Sequence, residues 1–573
     1  MKLSSIARSG IIPARGNGLS LFIPVILAVC ILSLMPTVRL LIEGVAPDGV
    51  WGLGILREII GEQSTWTALK HTMFVGLSAT LLATFVGCAM GLLIGLTDIR
   101  LRKTLTFCFM VPMMIPPQIT ALSWIQLFGP SSALLNMLGI APAPGTPHPM
   151  YSAWGIALLL GIQQAPLVFL SLKSGLAAMP REMVEAARTC GAGKTRVLLD
   201  IVLPLMTPAL TVGMALAFVS CIGNFGIPAM LGIPAGYTVL TTLIYQKLAN
   251  FGPDVIAEAA SLSILVSLLA LFGVLLQSYV LSRKDFRLVG APSESLKYKL
   301  GKKKWIAESG CWIVIILILV VPVAALFISS LIPSYGVVLS AKTMTFANYI
   351  SVLFKHDATI RAFINSFALA GGASLILCLI GIPVGYFMVW QRNSLLRFLS
   401  PLIELPYALP GVVLSIGCIL LFIKPLPVIG ISIYGTIWII LIAYLARFLA
   451  MGLRPIVGGF LQTDVAMEEA ARMCGAGFAR RMYDIVLPLI MPAAATGGLF
   501  VFLAAFNELT VSVLLWSSGS ETLGVVIYNM DDSGNSVLSS SVSILVILAV
   551  IALMLVLSAI GRKAPKGSIP WQC

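Results

Sequence analysis

"EAARTCGAGKTRVLLDIVLPLMTPA" runs from Glu185 to Ala209, and "EAARMCGAGFARRMYDIVLPLIMPA" from Glu469 to Ala493. The two align without a gap at an offset of 469 − 185 = 284 residues. Matching positions include Glu, Arg, Asp, Gly and Pro, which shared apolarity alone does not produce, so the chain carries an internal duplication. The first copy contains "CGAGKT", Cys190 to Thr195, which ends like a phosphate-binding loop. Such a loop needs a glycine five residues before its Gly-Lys-Thr and a buried strand ahead of it. Arg188 stands at that position, and Pro180 to Arg188 reads as a proline-started helix with acids in its first turn. The second copy reads "CGAGFA" and loses the lysine and threonine. The repeated glycines therefore serve the backbone. Each copy reads as a short helix with a small Ala-Ala face, ended by a C-cap at Gly191 or Gly475. An amphipathic piece follows, and Pro204 or Pro488 restarts the chain into an apolar run, where a missing N–H costs little.

Those runs define the surroundings of both copies. The 573 residues are 58% hydrophobic and only 10% charged, with mean hydropathy +1.00. Apolar stretches long enough to cross a hydrocarbon core of about 30 Å recur near residues 19–42, 68–96, 104–128, 151–176, 205–229 and 258–282. A second set lies near 310–333, 362–390, 398–423, 433–453, 489–516 and 538–560. None shows the alternation a membrane barrel requires, and a helix satisfies its own backbone within lipid. The expected fold is an all-α polytopic membrane protein with about twelve spans, as two tandem six-helix halves. Leu19 to Ile42 follows Lys2, Arg8 and Arg15, but it is long for a signal-peptide core and no cleavage pattern follows, so it reads as a retained span.

Basic residues cluster at Arg100, Arg102 and Lys103, from Arg283 to Lys304, at Arg392 and Arg397, and at Arg562, Lys563 and Lys566. All fall on one side of this layout, which the positive-inside rule assigns to the cytoplasm with both termini. The expected organisation is a tail at 1–18, a first half at 19–282 with its loop near 181–204, and a basic linker at 283–306. A second half at 307–560 with its loop near 465–488 follows, then a tail at 561–573. Short cytoplasmic loops facing an anionic leaflet account for the net charge of +14 without nucleic acid. The ten cysteines lie mostly within spans without metal-ligand spacing, and no metal site is expected.

Glu-Ala-Ala, then Gly six residues after the Glu, then Ile-x-Leu-Pro, resembles the cytoplasmic "EAA" loop of permease subunits in binding-protein-dependent ABC importers. Both copies fit: Glu185, Ala186, Ala187, Gly191, Ile201, Leu203 and Pro204, and Glu469, Ala470, Ala471, Gly475, Ile485, Leu487 and Pro488. The resemblance implies that each loop is a coupling helix docking on an ATPase subunit. It further implies two ATPase copies, a periplasmic or lipid-anchored solute-binding protein, and the bacterial inner membrane. ATP and Mg would bind the partner, leaving this chain without a cofactor or ATPase site of its own. "IGNFGIPAMLG" from Ile222 and "FNELTVSVLLWSSGSETLG" from Phe506 are similar to fifth-span endings of the iron(III)-type branch, which also holds 2-aminoethylphosphonate and thiamine permeases. Iron(III) is the first expectation for the solute, ahead of 2-aminoethylphosphonate, with thiamine or a polyamine behind.

Polar groups inside spans are costly and face a cavity or a partner. The 284-residue offset sets Asn224 against Glu508, with Asn507 beside it. Gln118, in "MIPPQITA", is placed in the region matching Glu404, in "IELPYALPG". These five residues are candidates for the translocation path, or else are interhelical hydrogen-bonding groups. An acidic path would favour a cation. Prolines 112, 116 and 117 match 401, 406 and 410; such breaks mark a binding region or are tolerated kinks, and the kink is the preferred reading. Lys194 and Thr195 against Phe478 and Ala479 would make the two loops unequal. A secondary transporter is the alternative class, but its repeat should match at mid-membrane rather than in a loop. A membrane enzyme is disfavoured because His71, His148 and His356 are scattered and form no catalytic constellation.

Overall fold

A computed structural model describes residues 18–46, 52, 54–177, 179, 181–250, 254–282, 298, 300–425 and 430–560. The expected tails and linker lie outside these residues, except for Gly18, Tyr298 and 300–306. Among the described residues every regular element is helical apart from one isolated bridge between Thr97 and Tyr298. Among the described residues, ten helices are long and apolar enough to cross a membrane, and two bent pairs bring the number to as many as twelve.

The two halves superpose element by element in sequence, at two offsets. Second spans Gln63–Leu96 and Asp357–Trp390 differ by 357 − 63 = 294, whereas fourth spans Ala153–Ala177 and Ile437–Gln462 differ by 437 − 153 = 284. The change falls in the connector after the third span, which covers 129–152 in the first half and only 423–436 in the second. Close helix packing depends on small residues where apolar side chains gain nothing by leaving lipid. A Cβ on Gly87 would stand 2.6 Å from the Ala165 carbonyl oxygen, so the second and fourth spans touch through backbone there.

The first span of each half leans on the other half. Phe22, in the helix Leu19–Ser33, meets Phe387 edge-on at 5.0 Å. The Pro36 carbonyl fills the space beside Gly417. In return, span Gly301–Ser330 packs on the first half, where the Arg100 N–H donates to Glu308 Oε1 at 2.6 Å.

Two sequence expectations change. The third spans are not merely kinked: Arg102–Met114 and Pro117–Met137 meet at 97°, and Ser394–Ala408 and Gly411–Phe422 at 106°. Ile115 and Leu409 are extended, as residues preceding a proline are biased to be. Nor do Pro204 and Pro488 restart the chain. One helical path runs through each, widened by a π-turn at Leu198–Val202 or Met482–Val486. A third π-turn, Ile316–Val320, likewise ends two residues before a proline, Pro322. A proline ring crowds the carbonyl four residues back, and the wider turn relieves that clash.

Candidate functional site: duplicated loops and a polar node at the helix breaks

The loop helices are Arg181–Thr189 and Ala466–Met473; Pro180 lies outside the described residues. Gly191 and Gly475 take φ of 84° and 80°, the left-handed conformation that ends a helix. Ala192 N–H reaches back to the Ala187 carbonyl at 3.0 Å, and Ala476 N–H to Ala471 at 3.0 Å, so the two C-caps are the same motif. Glu185, Ala186, Glu469 and Ala470 are exposed, with Ala187 and Ala471 half-buried beneath them. Ile201, Leu203, Ile485 and Leu487 are half-buried and Pro204 and Pro488 exposed, where the helix continues into the fifth span. Arg196 pairs with Asp200 and Arg480 with Asp484, each at 3.3 Å. The loops also expose apolar side chains that the motif does not include: Met183 and Met467, and Leu199 and Tyr483. Each pair sits at the 284-residue offset, a signal available in the sequence. Lys194 is exposed, but Phe478 is half-buried against Tyr386 and Phe387, with ring centroids 5.8 and 6.3 Å away.

The second site forms where the third spans break. The turn at Pro116 and Pro117 diverts the N–H groups that would have bonded Met114 and Ile115, leaving two orphan carbonyls inside the molecule. Asn507 Nδ2 donates to the Met114 carbonyl at 2.7 Å, across the two halves. Gln163 Nε2 donates to the Ile115 carbonyl at 3.3 Å. At the equivalent break, Arg447 Nη1 donates to the Leu409 carbonyl at 3.2 Å. Gln163 and Arg447 occupy matching positions, 447 − 163 = 284.

Gln163 and Arg447 also bind the end of the fifth span in their own halves. Asn224 Nδ2 donates to Gln163 Oε1 at 3.3 Å, and Asn224 Oδ1 accepts the Ile227 N–H at 3.2 Å. In the second half Arg447 Nε pairs with Glu508 Oε2 at 3.4 Å, and Glu508 Oε1 accepts the Val511 N–H at 3.0 Å and the Thr510 hydroxyl. Gln118 lies buried between the halves, beside Gly226 and Gly524, and neither side-chain amide atom has a hydrogen-bond partner. Helices stop at Gly223 and Phe506, short of the expected 229 and 516, because the chain turns at this polar node.

Four of the five candidate path residues, Gln118, Asn224, Asn507 and Glu508, thus gather at the breaks. Glu404 does not. At the 294-residue offset its counterpart is Met110, and that of Gln118 is Val412. Glu404 is half-buried and bound bidentately by Arg454, with Nη2–Oε2 at 2.5 Å. Glu404 and Glu508 are each paired with an arginine, so neither carboxylate stands as an uncompensated charge. The partners Gln163 and Arg447 were missed because they lie within apolar runs, Gln163 in a Gln-Gln pair and Arg447 as a lone charge.

Residues 87–286 and 378–564 each match the family described as binding-protein-dependent transport system inner membrane component. The probable ABC transporter permease protein y4fN of Sinorhizobium fredii is 26% identical over 523 residues, covering 90% of this chain and 90% of that one. The ferric transport system permease protein FbpB of Actinobacillus pleuropneumoniae is 26% identical over 549 residues, covering 92% of this chain and 76% of its own. A permease protein, PhnV, assigned to 2-aminoethylphosphonate transport in Salmonella typhimurium is 25% identical over 242 residues, 42% of this chain and 89% of its own. With two copies of the family domain, loops that share one backbone C-cap motif, and a membrane-spanning all-helical fold, this chain belongs to the binding-protein-dependent transport permeases, as a fusion of two permease domains.

Proposed function

We propose that the chain forms the translocation path of an ATP-driven importer for ferric iron delivered by an external binding protein. The observation that carries the solute is coverage: the ferric permease aligns with both halves, whereas the phosphonate permease matches less than half of the chain. Duplicated loops with exposed Glu-Ala and Met-Leu or Met-Tyr surfaces support docking of two ATPase subunits on the basic-loop side. That side is cytoplasmic by the charge rule. The polar node at the helix breaks lies between the halves, where opposite rocking of two pseudo-equivalent units would open a passage. ATP and Mg belong to the docked partner in this reading.

A second solute, 2-aminoethylphosphonate, is favoured by one feature. Glu508, the carboxylate at the node, carries an arginine partner and so presents no uncompensated negative charge to an anion there. Thermal melting of the cognate binding protein separates the two, since a ligand bound only to the folded state raises the midpoint. Ferric salts are expected to shift it and 2-aminoethylphosphonate to leave it unchanged; the reverse replaces the solute while leaving the fold and loop assignments standing.

A further inference from the structure

The two loops share a backbone but are fastened to the membrane core by opposite chemistry. In the first, Val184 and Val197 are fully buried and pack with Leu96, Leu172 and Met206, with Leu92 alongside. At 184 + 284 and 197 + 284 the second loop carries Glu468 and Arg481. Both are buried, at 6% and 4% exposure, and Arg481 Nη1 donates to Glu468 Oε1. Tyr386, which replaces Leu92 at the 294-residue offset, donates its hydroxyl to the same Glu468 oxygen at 3.1 Å. Gln391 Nε2 then donates to the Tyr386 oxygen at 3.0 Å. An apolar slot has become a hydrogen-bonded chain from the loop helix to the end of the second span.

The chemistry sets the mechanics. Apolar contacts are non-directional and tolerate sliding, whereas a charge-assisted hydrogen bond holds length and angle. A buried ion pair adds little stability over a well-packed apolar pair, so its retention points to geometry rather than strength. We propose that Glu468 is a positioning residue that clamps the second coupling helix to the second span through Arg481 and Tyr386. The second loop then transmits motion rigidly and the first with compliance. The proposal rests on the coupling-loop reading above.

The test installs the first half's own solution. In the full chain assembled with its ATPase, E468V/R481V recreates the Val184–Val197 slot and is expected to assemble normally. E468V alone strands Arg481 and is expected to lower the yield of folded complex, which the double variant restores. The readout specific to positioning is the number of ATP hydrolysed per solute imported, expected to rise by about fivefold in the double variant, near the lower end of coupling between sites. Y386F keeps the ion pair and should show a smaller rise in the same direction. Cys190 and Cys474, exposed at equivalent ends of the two helices, report docking separately through maleimide protection by the ATPase. Protection at Cys474 should weaken in the double variant while Cys190 is unchanged. An unchanged ATP-to-solute ratio with equal protection at both cysteines overturns the clamp. Failure of the ATPase to protect either cysteine in the wild type overturns the coupling-loop reading itself.

Discussion

Asn507 joins the two halves through one hydrogen bond to a carbonyl that a proline-induced break leaves without a partner. Replacing it by leucine removes the donor and leaves the Met114 oxygen buried and unsatisfied. The N507L chain is expected to lose about 1–3 kcal/mol, read as a lowered denaturation midpoint in detergent. The Arg447–Glu508 pair offers a sharper comparison. Breaking it with R447A strands a carboxylate and is expected to cost about 3–5 kcal/mol, whereas R447Q/E508N, which copies Gln163–Asn224, should cost far less. Equal losses in the two variants would contradict the matched-position account. Outside the spans, Glu521 is held by Arg361 at 3.1 Å. Burial pushes its carboxyl up, but Arg361 and backbone N–H groups outweigh that and hold it below the usual carboxylate range. A folded pKa below the unfolded one means that the stabilisation is full above the unfolded value and fades as pH falls through the folded one. Melting midpoints should therefore fall on acidification below about pH 4.5, and less steeply in E521Q. Residue-scale legibility was uneven. Asn224 and Glu508 were found because the offset carries register through an apolar run, but Glu404 was mismatched because that offset is 294 ahead of the connector and 284 after it.

At the scale of elements, the loops were the most legible part, since Gly191 and Gly475 mark helix ends by a conformation that glycine alone adopts without strain. G475A is expected to cost about 1–2 kcal/mol, confined to the loop, and to reduce ATPase capture in pull-downs while the spans melt unchanged. The π-turns were not legible. A proline in a membrane helix announces an irregularity, but whether it becomes a restart, a kink or a widened turn depends on what receives the freed carbonyls. The same limit explains the third spans. Pro116, Pro117 and Pro410 flagged disruption, yet turns of 97° and 106° are sustained by Asn507, Gln163 and Arg447 from distant segments. Local sequence does not contain those partners.

Across the whole molecule, pseudo-symmetry in backbone contrasts with asymmetry in charge. Arg361–Glu521, Arg447–Glu508, Arg454–Glu404 and Arg481–Glu468 connect elements of the second half. The corresponding first-half positions hold Thr67 and Tyr237, Gln163 and Asn224, Leu170 and Met110, and Val197 and Val184. A fused chain permits this divergence, because each half has its own sequence, whereas a homodimer would impose every change twice. The exchanged first spans bind these unlike halves into one body. In the proposed function this body is the membrane path of an ATP-driven importer. The most direct test of that function is uptake of labelled ferric iron by proteoliposomes containing the chain, its ATPase and its binding protein. Uptake that requires both ATP and the binding protein, and that collapses when both loops are disrupted, is the predicted result. Uptake that follows an ion gradient without ATP would contradict it and identify a secondary transporter.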